Sequence, residues 1–374
     1  MAVPSRDTSE RPDAVTPLGL FFDLVFVFAV SQLSHHLLEH LSWRGVAETL
    51  VMLLAIFAVW AYTSWAAIML AADQSRTTWM VLAVMLLGFF MNASVTTAFA
   101  ASGWAFVVPF LLIQLGRTVW TFVNPPNGVL RDQFFRMLFW LIATTPLWLV
   151  GAAVDPEARL GWWAVAAGLD IAGAWLAHPI PGRQLRSDHV AFPGSHMLER
   201  CRLFLIIALG ETVLTTGAAV TAVPMTPLTV ITGTVALVGT VALWALSFGR
   251  AGRLTLRYVE ETSDPIHAAR LTGNVLTVIV AGLVAVAVAN EEVIVHPNEP
   301  TSIVVRVLLF GGPILYLLAA GWYVWVALRI RPRLHLIGIA TLVLLGLVAA
   351  PAPSVVASSL VAASLAILAI LDQH

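Results

Sequence analysis

The chain has 374 residues, of which 59 % are hydrophobic and only 11 % charged, and its mean hydropathy is +0.88. A soluble domain needs about a quarter charged residues to cover its surface, so lipid must cover much of this one. The net charge of −1 argues against nucleic acid as a partner, and the single cysteine, Cys201, excludes an intramolecular disulfide.

Residues 1–15 mix Arg6, Asp7, Glu10, Arg11 and Asp13 with two prolines and read as a short arm. No removable signal peptide is expected, because the first apolar run is too long for one. Apolar spans follow at about 18–40, 45–70, 77–99, 103–123, 132–153 and 160–177, each long enough to cross a bilayer. A polar stretch then carries Pro179, Pro181 and Pro193, which prevent one continuous helix. The second set lies at about 199–220, 227–249, 267–290, 302–328, 334–350 and 354–371, with Pro351 and Pro353 in a tight turn before the last span. The expected fold is an all-α polytopic membrane protein of about twelve transmembrane helices.

Arginine sets the expected orientation, since the chain has no lysine. With twelve spans and the N-terminus inside, Arg44, Arg159 and Arg306 fall outside and the other seventeen of the 20 basic residues fall on the inner side. That is a strong positive-inside pattern and places both termini in the cytoplasm. The segments Gly19–Ser31 and Glu199–Glu211 have similar openings, and VWAYTSW at 59–65 is echoed by LWALSFG at 243–249. These echoes suggest two parallel six-helix repeats, 16–178 and 196–374, joined by a cytoplasmic linker at 179–195. Transporters built from parallel repeats hold their substrate between the halves.

Charges at membrane depth are expensive and therefore mark candidate sites. Asp23 lies about one and a half turns into the first helix, level with Arg117 on the fourth. An Asp23–Arg117 ion pair would offset both costs, with Arg200 and Arg202 as rival partners. Glu211 and Asp170 are expected near the midplane with no arginine at their level, placed to bind a cation or relay protons. Ser31 falls on the same helical stripe as Asp23. His196, Glu199 and Arg200 sit at the cytoplasmic mouth of the seventh helix, beside amides that hold an anion or a cap. His36, Glu39 and His40 match an H-x-x-E-H zinc pattern, but no third ligand or catalytic domain accompanies them, so no metal is expected. No phosphate-binding loop, dinucleotide fingerprint or cysteine cluster is present, and no cofactor is expected.

TPLGLFFDLVFVFAVSQLSHHLLEH at 16–40 resembles the opening of the bacterial low-temperature-requirement protein A (LtrA) family. HMLERCRLFLIIALGETVL, from His196, resembles that family's second signature, and Arg117 and the Leu169–Asp170 step extend the likeness. The family usually has Glu where this chain has Gly19, so an acid paired with Glu199 would be missing here. The resemblance implies a polytopic inner-membrane protein linked by name to growth in the cold, without a settled activity. Phe21-Phe22-Asp23 is also similar in spacing to the F-S-D motif of lysosomal-type potassium channels, which likewise repeat six helices.

The function expected from these residues is a secondary transporter or channel for a small ion or solute. The alternatives are an intramembrane enzyme acting on a lipid or phosphate-bearing substrate, and a sensor or scaffold responding to membrane state. Membrane lipids, a small ion or solute and a second copy of the chain are the partners this composition allows.

Overall fold

The computed structural model describes residues 16–70, 74–100, 103–124, 128–180, 194–249 and 264–373, with Gly252, Leu254, Tyr258 and Thr262. The expected arm at 1–15 and most of the linker at 179–195 lie outside the described residues. Every regular element among those described is helical: α1 (Pro17–Glu39), α2 (Trp43–Met69), α3 (Gln74–Ala93), a 3-10 turn (Val95–Thr97), α4 (Trp104–Val123), α5 (Gly128–Ala153), α6 (Pro156–Trp175), α7 (Gly194–Ala222), α8 (Pro227–Phe248), α9 (Pro265–Val295), α10 (Ile303–Leu328), α11 (Arg333–Val348) and α12 (Ser354–Gln373). Ten of these twelve helices are long and apolar enough to cross a membrane. The other two are α6 and the shorter apolar α11.

Side-chain caps fix where several helices begin. Thr16, Ser42, Thr226, Asp264 and Ser302 each accept a hydrogen bond from the amide three residues on. Such bonds satisfy amides that the first helical turn leaves unpaired. The third helix is shorter than the expected 77–99. Near its end Asn92 donates to the Val25 carbonyl of α1 and Ser94 to the Met91 carbonyl, and the backbone then tightens into the 3-10 turn. Ser and Asn side chains that bond nearby backbone compete with helix continuation.

α9 is the central element, mostly buried by its neighbours, whereas α8 is peripheral and mostly exposed to the surroundings. It packs against α7, α10, α1 and α2. Its closest approach is to α10, where Gly282 and Gly312 face each other; a Cβ on Gly312 would stand 2.8 Å from the Gly282 carbonyl oxygen. Small residues let membrane helices pack backbone to backbone. In the N-terminal half, α1 contacts α2 and α3, the chain continues through α3–α4, α4–α5 and α5–α6 contacts, and α6 returns to α2. In the C-terminal half, α7 contacts α8 and α9, contacts run α9–α10, α10–α11 and α11–α12, and α12 returns to α8.

The outer face is apolar: Phe21, Leu24, Trp79, Leu112, Leu214 and Leu347 are all exposed. Water would not tolerate so much exposed apolar surface, and lipid does. The protein is an integral membrane protein.

Candidate functional site

Two polar clusters lie at the seam between the halves. The first centres on Asp23, which is fully buried on α1. Arg200, at the start of α7, donates from Nη2 to Asp23 Oδ1 at 2.7 Å. Trp60 Nε1 of α2 donates to the same oxygen at 2.8 Å. Arg200 also lies over the Phe22 ring at 5.2 Å. The pair thus ties α1 and α2 to α7, while Asp23 Oδ2 and Arg200 Nε remain buried without partners among the described residues.

The expected Asp23–Arg117 pair does not form. Arg117 is buried on α4 and turns towards α2, bonding the Val59 carbonyl at 3.4 Å and Thr63 Oγ1 at 3.2 Å. Gln114 Oε1 at 2.5 Å and Thr118 Oγ1 at 3.4 Å take its other nitrogen. The Tyr62 ring lies 5.4 Å from its guanidinium carbon. Depth along the helices matched the two charges, but α1 and α4 are not neighbours, and α7 brings Arg200 to the Asp23 side of α1 instead.

The second cluster walls a cavity of about 220 Å³ between α2, α5 and α6 of the first half and α9 of the second. Its polar lining is Asp170, Tyr62, Gln133, His178, Arg270, Asn274 and Thr277. Asp170 accepts from Thr144 Oγ1 at 2.7 Å and from Trp148 Nε1 at 3.0 Å, one bond to each carboxylate oxygen. It sits about a turn and a half before the end of α6 rather than at the middle of that helix. Arginines do share its surroundings: Arg270 lines the same cavity, and Tyr62 stands close enough to feel both Asp170 and Arg117.

The floor of the cavity is a rigid corner after α6. Ala177 and His178 take the left-handed conformation, with φ of 58° and 53°. L-residues adopt it only when the surroundings hold them there. The restraint is Arg136 on α5, which donates to the Ala177 and His178 carbonyls at 2.8 and 2.9 Å. Trp140 Nε1 adds a bond to the Pro179 carbonyl at 3.0 Å. The Tyr62 hydroxyl meets His178 Nε2 at 3.1 Å. Burial first, then the positive charges of Arg136 and Arg270, push the His178 imidazole down to about 4. Gln133 Oε1, Arg136 Nη1 and His178 Nδ1 are buried without hydrogen-bond partners among the described residues.

The remaining expected residues stand apart. Glu211 is buried on α7, its carboxylate without a partner among the described residues, and does not line the cavity. It does not join Asp170 in one site. Ser31 is half-buried on α1. His196 and Glu199 are half-buried on the first turns of α7, with His196 engaged by neighbours. Arg200, one of the two rival partners expected for Asp23, is the one that pairs with it.

The H-x-x-E-H residues assemble only in part, with the His36 and His40 rings stacked at 4.7 Å. Glu39 is exposed, whereas His36 bonds Glu48 on α2 at 3.2 Å and Glu48 also takes Arg44 at 2.7 Å. Among the described residues no group of three or more His, Cys, Asp or Glu side chains is placed to hold a metal.

Sequence reasoning missed Trp60, Tyr62, Gln133, His178 and Arg270 as site residues. Trp60 and Tyr62 lie in the echoed VWAYTSW segment, which was a usable signal. Arg270 read only as one more inner-side charge.

The chain is 30 % identical over 343 residues to "Uncharacterized protein RA0937" of Rhizobium meliloti (strain 1021), covering 90 % of this chain and 83 % of that protein. No solved structure matches it. The model of the family described as "Bacterial low temperature requirement A protein (LtrA)" matches residues 14–370, nearly the whole length. With both signatures and the helices between them inside that match, the chain belongs to the bacterial low temperature requirement A (LtrA) family.

Proposed function

We propose that this LtrA-family protein is a secondary transporter or channel of the bacterial inner membrane, carrying a small ion or solute through the cavity between its halves. The observation that carries this reading is the position of the cavity. Its walls come from both halves, and it holds a carboxylate, Asp170, on an otherwise largely apolar lining. A site at the interface of two structural halves can be exposed alternately as they rock.

Further features support the architecture behind it. Most neighbour pairs of α1–α6 recur among α7–α12, the α2–α4 contact excepted, which supports two parallel repeats. Counting α6 and α11 as spans gives twelve, keeps the termini on one side and leaves Arg44, Arg159 and Arg306 opposite most other arginines. That arrangement puts both termini in the cytoplasm. The Asp23–Arg200 pair then acts as the joint between halves, because it links α1 and α2 to α7. Its inner end reaches the cavity through Phe57, which packs on Trp60 at 4.9 Å and also lines the cavity. Asp170 replaces Glu211 as the carboxylate through which the solute is held.

Flux is the test. Purified protein goes into liposomes loaded with pH-sensitive and potassium-sensitive dyes or with radiolabelled small solutes, and wild type is compared with Asp170→Asn. Protein-dependent movement that the substitution abolishes is expected. Movement at equal rates in both proteins, or none of any tested species, contradicts the reading.

A further inference from the structure

The cavity presents two opposite charges that do not meet. Asp170 on α6 and Arg270 on α9 both line it, yet no salt bridge joins them. Asp170 spends one bond per oxygen on Thr144 and Trp148, which leaves lone pairs free, since a carboxylate accepts about four. Among the described residues, the Arg270 guanidinium has only a 3.5 Å contact with His267 Nδ1. Asn274, one helical turn on from Arg270, faces the same space. Between these groups the walls are apolar, with Leu54, Phe57, Met137, Ile171 and Val278.

Both residues are half-buried, and opposite charges set on the wall of a largely apolar space attract more strongly than they would in open water. An Asp and an Arg held on separate walls of one cavity therefore define a ligand. It carries a positive group for Asp170, a negative group for Arg270 and an apolar body between or beside them. An apolar cavity of about 150 Å³ holds benzene, with six heavy atoms, so this one suits a body of roughly nine.

We propose that the cavity binds a small zwitterion of leucine size, with its ammonium on Asp170, its acidic group on Arg270 and Asn274, and its apolar body against the α2 and α5 walls. The inference deepens the solute-pathway reading and rests on it. Free amino-acid-like solutes and the zwitterionic headgroup of phosphatidylethanolamine share this chemistry.

The test is calorimetric binding to the full chain in nanodiscs of phosphatidylglycerol, with three probes: leucine, 3-methylbutylamine and 4-methylpentanoate. The two analogues each keep one charge and most of the apolar body. Leucine is expected to bind about tenfold or more tighter than either, since each charge-assisted contact is worth at least that factor. Asp170→Asn should erase the advantage over 4-methylpentanoate, and Arg270→Gln the advantage over 3-methylbutylamine. Equal binding of leucine and one analogue overturns the proposal, and so does no binding of any probe; both outcomes are read on wild type and need no variant to fold. Repeating the titration with phosphatidylethanolamine in the disc separates the sources: weakened leucine binding assigns the site to the headgroup, unchanged binding to the free solute. Binding is measured without a gradient, so leucine bound but not moved in liposomes would retain this site and remove transport. Ion flux without leucine binding would do the reverse.

Discussion

Removing Asp23 should be the most damaging single change at the seam, because it strands two groups at once. Asp23→Ala leaves the Arg200 guanidinium, 7 % exposed, buried without its counter-charge. Breaking a buried pair from one side costs about 3–5 kcal/mol. Trp60 Nε1, on a fully buried ring, also loses its acceptor, which adds about 1–3 kcal/mol. Asp23→Asn keeps an acceptor for Trp60 and should cost less. The assay is unfolding in mixed micelles titrated with sodium dodecyl sulfate, followed by tryptophan fluorescence, on both singles and on the double variant Asp23→Asn/Arg200→Met. The double should cost less than the sum of its singles, with a coupling of roughly 1–3 kcal/mol. The parallel cycle with Arg117→Met should be close to additive, because Arg117 bonds α2 and its own helix rather than Asp23. A cost below about 1 kcal/mol for Asp23→Ala, or a coupling that appears with Arg117 and not with Arg200, would refute the assignment of the pair.

Gly312→Val should lower the melting temperature, because its branched side chain meets the Gly282 carbonyl and the Val286 amide, both backbone; overpacking of this kind costs about 1–3 kcal/mol. Stability should also depend on pH through His178. Its folded value is about 4, below the ordinary 6.5, so the unfolded chain binds more protons between those values and stability falls as pH drops through that window. The full loss is about 3 kcal/mol at 1.36 kcal/mol per unit, and His178→Gln should flatten that part of the pH–stability curve. Arg159→Met should destabilise the end of the bundle where Arg159 bonds the carbonyls of Ala98, Gly151 and Val154. A loss of about 2 kcal/mol or more is expected in the same micelle titration, and a loss under 0.5 kcal/mol would contradict a structural role for those bonds.

Much of the helix order was legible in the sequence, because apolar length and arginine placement report on one dimension, the depth in the membrane. The expected fourth span at 103–123 and eighth at 227–249 differ from α4 and α8 by a residue at one end. What that dimension does not contain is which helix stands beside which. Asp23 and Arg117 were expected at one depth but face different neighbours, and Arg200 reaches Asp23 from 177 residues away in sequence. Asp170 was legible as an acid within an apolar span, but its surroundings were not, since the cavity draws on four helices of two halves and on the corner at His178. Glu211 illustrates the converse: a charge in mid-helix marks expense, and it does not say whether the side chain turns towards a cavity.

Two glycines make the decisive measurement practicable. A Cβ at Gly273, in the cavity wall, and one at Gly116, on the exposed face of α4, would each meet nothing within 4 Å. In a Cys201→Ala background, Gly273→Cys and Gly116→Cys are each treated with a membrane-impermeant maleimide in sealed vesicles of both orientations. A cavity that conducts solute predicts labelling of Gly273→Cys from the aqueous phase, slowed by a bound solute, and no labelling of the lipid-facing Gly116→Cys. A Gly273→Cys thiol as unreactive as Gly116→Cys from both sides would contradict the claim that the space between the halves is a solute pathway.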